Sequence, residues 1–256
     1  MQYINHCVII HPQDTIKHII EHTGLVRNLY EFHDGKVIYF IKKDIETLMK
    51  KHFSDLTKII YEVVNDLDKT TIFKYMLGQF KNCKIRMFFG AFDKFRLDSY
   101  KNIFESKYNN ENYNPYTIYD FDESLQYEKF KINVNEDDSI KTMNLLKSIA
   151  NMDYRIFSSA PGIPIVYKRN STIAIQIDKV FNKGNYFDNI VLIKNTKHIH
   201  ITDQKDDTFS IFIFHLLKSN QYDDLFMKKN IYLFYEGQPP KIDFVGNWKF
   251  IEAENL

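Results

Sequence analysis

Short apolar stretches recur along this chain, and helical spacing interrupts them four times. HCVII near the amino end, KVIYF, KIRMFF, FKINV, YRIFSSA, IPIVYK, HIHIT, NIYLFY and WKFIEA all carry the β-branched and aromatic residues that strands favour. The four helical stripes differ in kind. Ile16, Ile19 and Ile20 form the first, with Lys17, His18, Glu21 and His22 off it. Ile72, Tyr75, Met76 and Phe80 form the second, with Lys74 and Lys81 on the opposite face. In the third, Ile140, Met143, Leu146 and Ile149 oppose Lys141, Asn144, Ser148 and Asn151, with Lys147 beside the stripe. The fourth runs from Phe212 to Asn220, with His215, Lys218 and Ser219 polar.

Glycine and proline, 8 and 6 in number, are scarce enough to punctuate the chain. His33-Asp34-Gly35 between NLYEF and KVIYF reads as a hairpin connection, as do Pro161-Gly162 and Gly246-Asn247, the last between KIDFV and WKFIEA. Asp207 to Leu256 then reads as strand, short helix, strand, hairpin and closing strand. HCVII, QDTIKHIIEHTGL and NLYEF-HDG-KVIYF give a similar order at the start. The Asn-rich stretch from Lys107 to Asp122 reads as a linker. The expected organisation is a first domain over 1–106, a connector over 107–127 and a second domain over 128–256. The expected class is α+β, with two similar domains.

At 44% hydrophobic, with 22 Phe and 17 Tyr, the composition supports a buried core and excludes disorder. No run reaches the roughly 18 apolar residues of a membrane span, and no secretory signal is visible, so the expected location is intracellular. Cys7 and Cys83 read as isolated thiols, and no cofactor or metal is expected. A formal net charge of +1 limits any basic surface to a local one.

The order of these segments resembles the two-domain DNA sliding clamp of the PCNA type. Ile16-Lys17-His18-Ile19-Ile20-Glu21 is similar to that family's first helix, and NLYEF-HDG-KVIYF to the hairpin after it. Thr70 to Leu77 with KIRMFF, FKINV with the helix from Ile140 to Met152, and YRIFSSAPGIPIVYK resemble further segments. Pro239, the GNWKF turn and the last strand resemble its ending. The resemblance implies a divergent clamp, of a viral or otherwise fast-evolving kind: a ring with helices inside and sheets outside, a homotrimer encircling double-stranded DNA as a processivity factor at replication sites. It implies no chemistry. Lys17, His18, Lys74, Lys81, Lys141, Lys147 and Lys218 would line the hole and meet phosphates without reading bases. Ile41, Phe121, Leu125, Pro239, Ile251 and Ala253 would form a pocket for short peptides of the polymerase and other replication proteins. Ser171–Ile177 and Ser99–Glu105 would be the edges that close the ring. A clamp-fold transcription factor or checkpoint subunit is the alternative within that fold.

Catalytic patterns read more weakly. His198-Ile199-His200-Ile201-Thr202 places His-x-Thr on one strand face, as two-histidine phosphoesterases require, but no second His-x-Ser/Thr accompanies it. The run Asp120, Asp122, Glu123 lies in the linker and reads as solvated or partner-facing. Ser158-Ser159-Ala160-Pro161-Gly162 is not a nucleophile elbow, and no Gly-rich phosphate loop occurs.

Overall fold

The computed structural model describes residues 6–10, 16–32, 36–64, 85–89, 116, 121–133, 144, 147–148, 153–157, 173–176, 187, 190–204, 207–219 and 221–252. The chain divides into two compact units, Met1–Asn133 and Val134–Leu256.

In the first unit, β1 (His6–Ile10), β2 (Lys36–Lys42), β3 (Ile59–Val64) and β4 (Ile85–Phe89) form one sheet in the order β3-β2-β1-β4. Every pairing is parallel, with Cys7 opposite Val37 and Arg86, and Ile38 opposite Ile60. Parallel neighbours need a crossover rather than a tight turn. Helix α1 (Ile16–Phe32) supplies it between β1 and β2, and α2 (Glu46–His52), after a 3-10 turn over Lys43–Ile45, between β2 and β3. NLYEF is therefore the end of a 17-residue helix and no strand. Val26 and Leu29 extend the burial of Ile19 and Ile20 at helical spacing. That continuity outweighs the strand preference of Leu-Tyr-Phe. KVIYF pairs with HCVII instead of folding back in a hairpin; His33, Asp34 and Gly35 lie outside the described residues. Both faces of such a sheet are covered, so strand β2 is buried from Val37 through Ile41.

The second unit holds β5 (Tyr154–Phe157), β6 (Ile173–Gln176), β7 (His198–Thr202), β8 (Asn230–Tyr235) and β9 (Asn247–Glu252), in the order β6-β5-β7-β8-β9. Again all pairings are parallel. Two parallel-sheet α/β units replace the expected α+β ring-forming domains. FKINV is no strand: through Asn133 it is irregular backbone with Phe130 and Ile132 buried in the first unit. The third helical stripe and IPIVYK fall largely or wholly outside the described residues.

The carboxyl-terminal stretch corrects two further expectations. DTFSIF opens a helix, α5 (Thr208–Lys218), which follows the short α4 (Ile190–Asn195) and precedes α6 (Asp223–Phe226). KIDFV is not a strand, and WKFIE runs parallel to β8, so Gly246-Asn247 makes no hairpin. Gly246 sits at φ +114, where a Cβ would meet Ile231 Cδ1 at 2.9 Å, so the sequence signal marked the turn before β9. At the amino edge of this sheet the buried Lys229 donates to the carbonyls of Lys194 (2.9 Å) and Thr196 (2.6 Å), capping α4. Its burial lowers the ammonium pKa to about 8.

Within the first unit, α1 is held by two insertions. Arg27, buried at mid-helix, donates to both oxygens of Asp55 (2.7 and 3.3 Å) and through Nε to the Lys131 carbonyl (2.8 Å). Burial works to raise the Asp55 carboxyl, but Arg27, the Asn133 amide and a backbone hydrogen bond together outweigh it and hold the group below its ordinary value. One helical turn earlier, the buried Tyr116 hydroxyl stands in the helix ladder. It donates to the Glu21 carbonyl and accepts from the Leu25 amide, both at 2.9 Å, bridging the partners of a normal i to i−4 bond. Gly24 permits this approach, because a Cβ there would meet the Leu125 carbonyl of α3 (Leu125–Glu128) at 2.2 Å.

These contacts invert an ordinary helix rule. Gly→Ala inside a helix ordinarily gains about 1 kcal/mol. Gly24→Ala is expected to lose at least about 2 kcal/mol through overpacking against backbone. Tyr116→Phe, which strands a buried carbonyl and amide, is expected to lose about 1–3 kcal/mol. Urea unfolding of both variants checks the pair; a stabilised Gly24→Ala would refute the close packing of α1 on α3.

Candidate functional site

In an open parallel sheet the loops on either side of a reversal of strand order diverge, leaving a crevice at the carboxyl ends of the two strands. The first sheet reverses between β1 and β4, and the second between β5 and β7. Only the second has described residues beyond such a strand end. There β7 ends at Thr202 and passes through Asp203 and Gln204 towards Asp207 and the amino end of α5.

That connection is tightly wired. The Asp203 amide donates to the Phe234 carbonyl (3.1 Å), extending the β8 pairing by one residue, and the Gln204 amide donates to Thr202 Oγ1 (3.3 Å). The Thr202 amide donates to the buried Ser210 hydroxyl at 2.9 Å, tying the strand to the first turn of α5. Asp207 is the cap: its carboxylate accepts from the Ser210 amide at 2.9 Å and from the Ser210 hydroxyl. The helix thus opens at the sheet's carboxyl edge, with its dipole already facing one carboxylate.

Alternation along the strands builds a second feature on one face of the same sheet. The register sets Arg155 opposite His198, His200 opposite Tyr232, and Tyr232 opposite Lys249. Tyr232 is the hub. His200 stacks on it at 4.4 Å between ring centroids, Arg155 lies 5.7 Å from the centroid and the Lys249 ammonium 4.9 Å. Its hydroxyl meets His198 Nδ1 at 3.3 Å and Lys249 Nζ at 3.4 Å, while His198 Nε2 is 3.6 Å from Asp153. Burial first, then the Arg155 charge, lowers the pKa of His198, Asp153 opposing; the same two causes, with His198 added, bring His200 to about 4. His200 is 7% exposed, and among the described residues its Nε2 has no hydrogen-bond partner.

Of the residues expected to line a DNA hole, Lys17 and His18 lie half-buried on the first turn of α1, where His18 stacks on His22 at 6.1 Å. Lys147 is exposed, and Lys218, on the last turn of α5, holds its ammonium 5.9 Å from the Phe244 ring. Lys74, Lys81 and Lys141 lie outside the described residues. In units of this kind helices cover sheet faces, so polar helix positions do not define a lining. Among the expected pocket residues, Ile41 has no exposed surface and belongs to the first core. Phe121 and Leu125 are half-buried in the first unit; in the second, Pro239 is exposed beyond β8 and Ile251 is half-buried on β9. Ala253 and Asp120 lie outside the described residues. Asp122 accepts from the Ser124 amide at 2.8 Å, a local turn before α3. Neighbouring strands give His198 and His200 an arginine and a tyrosine where a phosphoesterase pair needs a second histidine. Sequence reading missed Arg155, Tyr232 and Lys249. The available signal was a long polar or basic residue inside each of YRIF, NIYLFY and NWKFIE, but only the parallel register makes them neighbours.

No protein-family model matches the sequence, and no curated protein does. Among solved structures the chain is similar to the glycosyl transferase family 9 protein of Veillonella parvula DSM 2008, with a TM-score of 0.51 and 10% identity over 98% of this chain and 87% of that one. At that identity the likeness is one of fold. With the two parallel sheets, it overturns the clamp fold and the replication role, including the clamp-fold alternatives. The expectation of a chain without chemistry came from the clamp resemblance and loses its support.

Burial gives a pH signature. The folded pKa of His200, and likewise of the buried His215, lies near 4, below the ordinary 6.5. Below pH 6.5 the unfolded chain therefore binds more protons, so stability is full above that pH and falls towards pH 4. His200→Phe, which preserves the stack on Tyr232, is expected to flatten this slope in thermal melts across pH 6.5 to 4. An unchanged slope would show that His200 is protonated in the folded protein.

Proposed function

We propose that the chain is an enzyme of the glycosyltransferase type, taking a sugar activated by a nucleotide phosphate and passing the sugar to an acceptor hydroxyl. The observation that carries this reading is the succession of two all-parallel α/β units, each with a strand-order reversal, in a likeness of fold that spans 98% of the chain. Sheets of this class bind ligands outside their carboxyl ends at the reversal. In the second unit that edge, at Thr202 and Asp203, adjoins the amino end of α5.

Chemically, the acceptor oxygen forms a bond to the anomeric carbon as the bond to the phosphate oxygen breaks. The acceptor proton passes to a base, and the nucleotide leaves with the electron pair. Negative charge builds on the leaving phosphate, so its stabilisation is where such a fold contributes most. The positive end of a helix at the strand edge acts in that sense, with Asp207 already satisfying the Ser210 amide and setting how much of it stays available.

A panel of nucleotide sugars and nucleoside diphosphates tests the reading. At about 100 times its Kd a true ligand adds about 2.7 kcal/mol, a rise in Tm of about 5–10 °C for a chain of this size. The enzyme should also release the free nucleotide when a sugar acceptor is supplied. A panel in which no member raises Tm and none is consumed would overturn the assignment.

A further inference from the structure

We propose that the Tyr232 face of the second sheet is an anion site that takes a phosphate group, held by Arg155 and Lys249 and braced by Tyr232 and His198. The proposal does not depend on glycosyl transfer, because Arg155 and His198 stand near the amino ends of β5 and β7, on a sheet face, and not at the carboxyl ends where the strand-order reversal opens its crevice.

The first observation is an arginine without an anion. Arg155 is half-buried, and its guanidinium makes no hydrogen bond and no ion pair with any described residue; it lies 5.7 Å from the centroid of the Tyr232 ring, and its charge is felt by His198 and His200. Five N–H donors in a rigid fork are an expensive group to leave unmatched away from bulk water. Charge gives the second. Lys249 sits against the same ring, and among the described residues its polar contact is the Tyr232 hydroxyl at 3.4 Å, not a carboxylate. Two cations therefore share one aromatic hub, with Asp153 as the acidic partner of the cluster, and Asp153 is directed to His198. The third is His200 Nε2, a buried ring nitrogen on this face with no partner among the described residues.

A metal ion does not suit this face, since two cations already flank the Tyr232 ring. A phosphate group matches all three observations. It supplies the missing negative charge, accepts from the arginine fork and the lysine point charge together, and brings oxygens or bound water to a face that holds an unsatisfied nitrogen. Tyr232 fixes the geometry, because its hydroxyl lies between His198 Nδ1 and Lys249 Nζ and the Arg155 guanidinium lies 5.7 Å from its ring centroid.

Inorganic phosphate is the probe. Titration of the full chain, followed by calorimetry and by the side-chain nitrogen resonances of His198 and His200, should show saturable binding with both histidines perturbed. Arg155→Gln and Lys249→Gln should each weaken binding at least tenfold, and Arg155→Lys should fall between, keeping charge and losing the fork. Their thermal midpoints without phosphate should stay near that of the parent chain. Absence of saturable binding, or equal affinity in the folded Arg155→Gln, Lys249→Gln double variant, would overturn the site. If that double variant also lost stabilisation by a nucleotide sugar that the parent binds, the claim of a separate site would fall. Retained nucleotide-sugar stabilisation with lost phosphate binding would support it.

Discussion

Everything in this protein follows from the decision of its strands to pair in parallel. A parallel pair cannot close with a two-residue turn, so each strand must be followed by a segment long enough to return across a sheet face. Where those segments cover both faces, the strands are buried on both sides and lose polar alternation, as in Val37 to Ile41, whereas β9 at a sheet edge stays largely exposed. The loops collect at the two edges, and where the strand order reverses a crevice opens. Site position is thus a consequence of pairing direction before any catalytic residue is named.

Pairing direction is what the sequence conceals. HCVII, KVIYF, KIRMFF, HIHIT, NIYLFY and WKFIE are strands, as their composition predicts. Nothing local distinguishes KVIYF folding back on NLYEF from KVIYF lying beside HCVII, because the partner is set by contacts distant in sequence. The Gly246-Asn247 signal announced a change of direction, and a strand entry uses such residues as readily as a hairpin does. The resemblance to a clamp drew on strand–helix–strand order, which two wound α/β units also produce. Order without direction does not separate the two folds.

The candidate site was legible in the same partial way. His198, His200 and Thr202 stood out because alternation on one strand is a local property. Arg155 and Lys249 did not, since each is a single cation in an otherwise apolar strand, and only register sets them about Tyr232. Lysines on amphipathic helices attracted attention for the opposite reason. Their spacing is conspicuous, yet a solvated helix face explains it fully, as Lys147 illustrates by its exposure.

Charge on the second sheet is divided between its edge and its face. At the carboxyl edge Asp203 and Asp207 follow β7, and the Asp207 carboxylate occupies the Ser210 amide of α5. A helix amino end favours negative charge by roughly 0.3–1 kcal/mol for an exposed group, and here the protein has spent part of that preference on its own cap. A ligand with phosphates at this edge must therefore be met by whichever N–H groups the cap leaves, close to a fixed negative charge. On the Tyr232 face the balance is reversed among the described residues, with Arg155 and Lys249 about the ring and Asp153 directed to His198. Since charges more than about 10 Å apart are largely screened in physiological salt, each region acts on what it touches. The edge then discriminates by shape and by a few amide donors, and the face by charge.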